Sequence, residues 1–145
     1  MNRFLFIVVV VVALLGCSCI DYRSQNDIAV ERLRQSFLQE DIDRIYNESS
    51  NITRTQLSRD EFGARVSSAI RVLKGIDPEL NWRRDESDSP DKAVYRDDEW
   101  SAVILEMNGR KALIWFDWNA GFHLCGMTIS GDVPDGGATV FRNCD

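Results

Sequence analysis

Histidine, proline and cysteine are scarce in this chain, which has one, three and four of them among 145 residues. With His123 as its single histidine, the sequence lacks the clustered His and Cys ligands of a zinc site. It also lacks a diagnostic catalytic or ligand-binding motif downstream of its first twenty residues. We therefore predict neither a metal nor a cofactor.

Positive charge is in short supply as well. The chain has 17 Lys and Arg against 23 Asp and Glu, a net charge of −6. The acidic residues are scattered and form no block. This balance argues against nucleic acid as a partner and against flat binding to anionic lipid headgroups.

The amino-terminal segment carries the most information. Arg3 is followed by the apolar run Phe4–Leu15 and then by Gly16-Cys17, the pattern of a secretory signal peptide. Leu14-Leu15-Gly16-Cys17 resembles the lipobox of bacterial lipoproteins, which are cleaved before the cysteine. The resemblance implies a signal peptide at 1–16, palmitate-type acylation of Cys17 and a tether at 17–27. Ser18 then favours the outer membrane, facing the periplasm, in a Gram-negative source.

An uncleaved membrane anchor is the alternative, because no charge interrupts Phe4 to Ile20. As a helix this run would be about 25 Å long, which is short for a hydrocarbon core of about 30 Å. The small residue before Cys17 favours cleavage.

Three cysteines remain after Cys17, an odd number for a compartment in which disulfides persist. We predict a bridge between Cys125, in a predicted strand, and Cys144, in the tail. Cys19 is then a free thiol near the membrane or a partner for another chain. The alternative is that all three cysteines are reduced.

Residues 28–145 are predicted to form one α+β domain, with two helices followed by an antiparallel meander of about four strands. Apolar residues at helical spacing predict a helix over 28–46. The polar stretch 47–55 predicts a loop, with one short turn inside it as an alternative. The capping box from Ser58 to Glu61 predicts a second helix that starts near Arg59 and ends at Lys74-Gly75.

Strand periodicity begins at Leu80. Asn108-Gly109 is the preferred dipeptide of a type I′ turn, so it predicts a hairpin of two strands, 100–107 and 110–118. A further strong pattern predicts a strand at 122–129, and weaker patterns predict short strands at 80–84, 93–96 and 138–141. The hairpin register is then Met107 with Arg110, Glu106 with Lys111, Ile104 with Leu113, Ala102 with Trp115 and Trp100 with Asp117.

A second reversal is predicted at Asn119-Ala120-Gly121, as a three-residue loop with a left-handed glycine. This loop would pair Trp118 with Phe122, Asp117 with His123 and Trp115 with Cys125. Both faces of the hairpin are mostly apolar, so the face away from the helices needs a pocket, a partner or the tail.

The order of elements resembles the small cone-shaped α+β domains of the nuclear transport factor two and steroid-isomerase superfamily, which includes bacterial lipoproteins. The resemblance covers Ile28 to Ser130 and includes the Leu-Lys-Gly helix end at Gly75 and the turn 118–124 before the last strand. It implies a curved sheet around an apolar cavity, and homodimers are common among such domains.

The predicted register places Asp117 and His123 side by side next to Trp100. A carboxylate and an imidazole in aromatic surroundings can act as a general base, although no nucleophile accompanies them. A cross-strand ion pair near the end of the sheet is the simpler interpretation. Trp100 and Trp115 either line a ligand pocket or fill the core.

From these patterns we expect a lipid-anchored envelope protein with a non-catalytic domain that binds a protein partner or a small apolar ligand. An isomerase or hydrolase that uses Asp117 and His123 is one alternative. A purely structural envelope component is another.

The anchor gives the first prediction. In a Gram-negative host fed radiolabelled palmitate, Cys17→Ser should abolish both the label and recovery in the membrane fraction, because several acyl chains on one residue hold a protein stably. Cys19→Ser is the matched control and should keep both. Label that persists in the Cys17 variant would contradict the lipobox.

Overall fold

The computed structural model describes residues 25–85 and 100–144. Four helices come first, followed by five strands and a short 3-10 turn at Pro134–Gly136. The helices are α1 (Gln25–Gln39), α2 (Ile42–Glu48), α3 (Asn51–Gln56) and α4 (Arg59–Lys74), and the strands are β1 (Arg83–Arg84), β2 (Trp100–Met107), β3 (Arg110–Trp118), β4 (Leu124–Gly131) and β5 (Gly137–Arg142). The fold is α+β.

One predicted helix is two helices in the structure. The chain leaves the helical conformation at Glu40, whose φ is +53°, and Asp41 then caps α2 by accepting a hydrogen bond from the backbone N–H of Arg44 at 3.0 Å. The prediction of one helix over 28–46 was therefore wrong at this point. Aspartate is a strong N-cap residue, so a new start is possible inside an otherwise periodic stretch.

The predicted loop over 47–55 contains the short helix α3. Ser50 caps it by accepting a hydrogen bond from the Thr53 N–H at 3.1 Å. Helix α4 starts at Arg59 as predicted, because the Ser58 hydroxyl accepts from the Glu61 N–H at 3.2 Å. In a complete capping box the Glu61 carboxylate would also accept from the Ser58 N–H. Here it forms a salt bridge with Arg65 instead.

Helix α4 ends at Lys74, as predicted, and Gly75 keeps a helical backbone conformation. Gly75 has φ −69° and ψ −19°, and its N–H donates to the carbonyl of Arg71, which continues the helical pattern by one residue. The chain then turns at Ile76 and Asp77, where the carboxylate of Asp77 accepts from the N–H groups of Glu79 and Asn81, both at 2.9 Å.

The five strands form one antiparallel sheet in the order β1-β2-β3-β4-β5. All five predicted pairs of the β2–β3 hairpin are confirmed. Asn108 and Gly109 have φ of +53° and +76°, as the type I′ turn requires. The predicted first strand is shorter than expected, and the predicted strand at 93–96 lies outside the described residues.

The helices cover one face of the sheet, which we call the inner face. Its side chains alternate along β2 and β3 and are almost completely buried. Phe37 of α1 lies near the centre of the core, with its ring 5.9 Å from that of Trp82 and 6.5 Å from that of Phe116. The sheet residues of this core are Val103, Leu105, Ala112, Ile114, Phe116, Trp118, Leu124, Met127, Ile129 and Phe141.

None of the helices within 25–85 and 100–144 is long and apolar enough to cross a membrane.

The core gives the second prediction. Phe37→Ala should lower the free energy of unfolding by about 3–5 kcal/mol, because it removes a fully buried ring between two aromatic neighbours. Ile28→Ala, at a side chain that is 51% exposed, should change it by less than about 0.5 kcal/mol. Urea unfolding measures both, and equal losses in the two variants would contradict the assigned core.

Candidate functional site

The β3–β4 connection differs from its prediction and decides where the site residues lie. Asp117 is opposite Gly126 and Trp115 is opposite Thr128, with an irregularity between Asp117 and Trp118. Trp118 is opposite Leu124. The predicted pairs of Asp117 with His123, of Trp115 with Cys125 and of Trp118 with Phe122 were therefore wrong. The β4 residues opposite Asp117 and Trp115 lie three positions later in the chain than predicted. Because side chains alternate between faces and three is an odd number, the β4 side chains also lie on the opposite faces from those predicted.

Asn119 is the cause of the longer loop. Its side-chain Oδ1 accepts hydrogen bonds from the backbone N–H groups of Gly121 and His123, both at 3.0 Å. The left-handed residue is Phe122, with φ +56°, and not Gly121. The chain therefore reverses through an Asx turn at Asn119, whereas the prediction was a three-residue loop with a left-handed glycine.

Gly121 lies beside the imidazole ring of His123. A Cβ at this position would lie 2.8 Å from Nδ1 of His123, so the imidazole packs directly against the glycine backbone. His123 is exposed in the loop and is not a strand residue. The proposed base therefore lies away from Asp117, and the arrangement on which the isomerase or hydrolase hypothesis depended is absent.

Asp117 lies on the outer face of the sheet, opposite the helices, together with both predicted ligand-binding tryptophans. Trp100 is directly across from Asp117, and Trp115 is across from Ala102. The two indole rings are neighbours, with centroids 5.3 Å apart and planes inclined by 37°. Both are half-buried and neither belongs to the inner core, so the core-filling interpretation does not apply to them.

Two residues that sequence reasoning missed complete this arrangement. Gly126 makes room for the carboxylate, because a Cβ there would lie 2.4 Å from Oδ2 of Asp117. Arg142 is the β5 partner of Gly126, and its Nε lies 3.9 Å from the same oxygen. The predicted last strand ends at residue 141, so no sequence pattern predicted Arg142 opposite a residue of β4.

A row of hydroxyl groups continues the surface beside Trp115. Thr128 is the β4 partner of Trp115, and Thr139 of β5 pairs with Thr128 in turn. The two hydroxyls lie 3.4 Å apart. We call this part of the outer face the aromatic platform, defined by Trp100, Trp115, Asp117, Thr128, Thr139 and Arg142.

The electrostatics of the aromatic platform centre on Asp117. Partial burial raises the pKa of Asp117 above its ordinary value, and the guanidinium of Arg142 acts in the opposite direction. Glu106 lies on the same face of β2 but six residues from Trp100, a distance of about 20 Å along a strand. That separation exceeds the roughly 5–10 Å between the paired carboxylates of glycosidases.

The two cysteines of the predicted bridge are neighbours, one in β4 and the other in the tail after β5. Cys125 and Cys144 are at disulfide distance, with Cα atoms 4.9 Å apart, and the Asn143 N–H donates to the Cys125 carbonyl at 2.7 Å. The arrangement holds the tail next to β4. Cys17 and Cys19 lie outside the described residues.

Within the described ranges, no group of three or more His, Cys, Asp or Glu side chains is arranged to hold a metal ion. Comparisons of the chain with known protein families, with curated proteins and with solved structures find no match. Function has to be argued from the site.

Asp117 gives the third prediction. A carboxyl whose pKa is raised by folding costs stability once the pH rises above the ordinary aspartate range. Asp117→Asn should therefore unfold at a temperature similar to wild type near about pH 3 and at a higher one near about pH 7. Thermal unfolding across this range measures the difference.

Arg142→Gln provides the opposite arm of the same experiment. Because Arg142 lowers the pKa of Asp117, its removal should make the loss of stability with rising pH steeper than in wild type. A loss that is shallower in this variant, or an Asp117→Asn advantage that shrinks towards neutral pH, would contradict the assignment.

Proposed function

We propose that this chain is a lipid-anchored protein of the bacterial cell envelope whose domain binds carbohydrate on the aromatic platform without chemical turnover. The lipobox-like sequence before Cys17 supports the anchor. Helices followed by an antiparallel sheet fit the cone-shaped domains that the sequence resembles, and we retain that resemblance as part of the proposal.

The adjacency of the two indoles to the pair of Asp117 and Arg142 carries the proposal. An aromatic ring offers a flat apolar surface that suits the C–H faces of a pyranose ring. A carboxylate accepts hydrogen bonds from sugar hydroxyls, and a guanidinium donates them. The aromatic platform combines both features on one sheet face.

The composition of the aromatic platform favours sugar over the alternatives. A purely apolar ligand would remove water from the pair of Asp117 and Arg142 without offering either group a hydrogen bond, which is costly. A protein partner would be expected to need a larger apolar surface than two neighbouring indoles provide. The hydroxyls of Thr128 and Thr139 extend the polar edge along the strands.

A β-1,4-linked oligosaccharide is the appropriate probe because its extended chain presents successive flat ring faces. We expect chitohexaose, the hexamer of N-acetylglucosamine, to bind in titration calorimetry. Trp100→Ala and Trp115→Ala should each weaken this binding by roughly tenfold, since each removes one stacking surface near the centre of the site.

Trp82→Phe is the matched control, because Trp82 packs against Phe37 and Phe116 on the helix side of the sheet. It should bind chitohexaose as tightly as wild type. Equal weakening in all three tryptophan variants would show that the effect comes from general loss of structure. Failure of the wild-type protein to bind either chitohexaose or cellohexaose would refute the proposal.

A further inference from the structure

A pocket lies at the end of the sheet, between α1, α2 and the β3–β4 loop. We call it the loop pocket. Its volume is about 300 Å³. Buried side chains of both layers form its floor, namely Leu33, Ile45, Trp118 and Leu124. These residues belong to the core, so the floor is apolar and held in place by the packing beneath it.

The loop pocket is separate from the aromatic platform. Trp118 neighbours Asp117 along β3 and so points to the inner side of the sheet, where its indole N–H donates to the Ser101 hydroxyl at 3.1 Å. The aromatic platform occupies the other side. A ligand in the loop pocket would therefore not compete directly with one on the aromatic platform.

The loop forms one wall at a conformational cost. Phe122 lines the loop pocket with a φ of +56°, which is unusual for a bulky residue. The two hydrogen bonds to Asn119 Oδ1 hold the backbone on either side of it. Backbone strain that the surroundings maintain is often found where a side chain must be presented to a ligand.

Arg32 supplies the charge at the rim. Its guanidinium makes no salt bridge or hydrogen bond with any residue in 25–85 or 100–144, although its neighbour Arg34 contacts both a carboxylate and carbonyl groups. Glu48 is the only acid among the described lining residues, and its carboxylate is 3.2 Å from Arg44. The positive charge of Arg32 is thus available to a ligand.

We infer that the loop pocket binds a small amphipathic carboxylate, whose acid group pairs with Arg32 and whose apolar part lies on the floor. A guanidinium recognises a carboxylate through two parallel hydrogen bonds. Two further polar residues, Asn47 and His123, also line the loop pocket. The loop pocket is at the small end of the size range of ligand pockets, so an acid of about eight non-hydrogen atoms is a suitable size.

Hexanoate is the probe, and hexanol is its uncharged counterpart. In a nitrogen–proton NMR titration, hexanoate should shift the indole N–H of Trp118 and the backbone N–H of Gly121. Arg32→Gln should weaken hexanoate binding by roughly tenfold, because it removes a charge-assisted pair, and should leave hexanol binding unchanged.

Arg71→Gln is the matched control. Arg71 is an exposed arginine on α4 that does not line the loop pocket, and its loss changes the net charge by the same amount. It should retain wild-type affinity for hexanoate. Equal weakening in both arginine variants, or unchanged binding in Arg32→Gln, would overturn the inference.

The sugar site provides an independent readout. Arg32→Gln should bind chitohexaose like wild type, and Trp100→Ala should bind hexanoate like wild type. If the wild-type protein binds chitohexaose but not hexanoate, the inference about the loop pocket is overturned and the proposed function remains in place.

Discussion

The two-residue turn at Asn108 and Gly109 is the constraint on which the remaining structure depends. Both residues have positive φ, and such a turn allows only one pairing between β2 and β3. Because side chains alternate along a strand, this pairing decides which residues face the helices and which face outward. The inner core and the aromatic platform are two consequences of the same register.

The two faces of the hairpin then serve different purposes. The inner face of the hairpin is apolar apart from Ser101, which accepts a hydrogen bond from Trp118, and it packs against α1 and α4 around Phe37 and Phe62. The outer face combines apolar residues with Asp117, and its β4 and β5 neighbours add a glycine, an arginine and threonines. This mixed aromatic and polar surface is the one on which we propose that carbohydrate binds.

The β3–β4 connection shows how one side chain can redirect a site. The side chain of Asn119 accepts hydrogen bonds from two backbone N–H groups of its own loop. The loop is longer than predicted, and the residues of β4 opposite Asp117 and Trp115 are shifted by three positions from the predicted pairing. As a result Asp117 meets Gly126 and Arg142, while His123 joins the wall of the loop pocket. The predicted neighbours Asp117 and His123 therefore lie in two separate parts of the surface, for each of which we propose a different ligand.

Local signals in the sequence determined the parts of the fold whose interactions are local. The cap at Ser58, the turn at Asn108-Gly109 and the order of helices before strands follow from residues a few positions apart. The pairing of Asp117 with Arg142 joins residues far apart in the chain. Only the tertiary structure decided it, because the register of β4 depends on how the Asn119 loop closes and on which face packs against the helices.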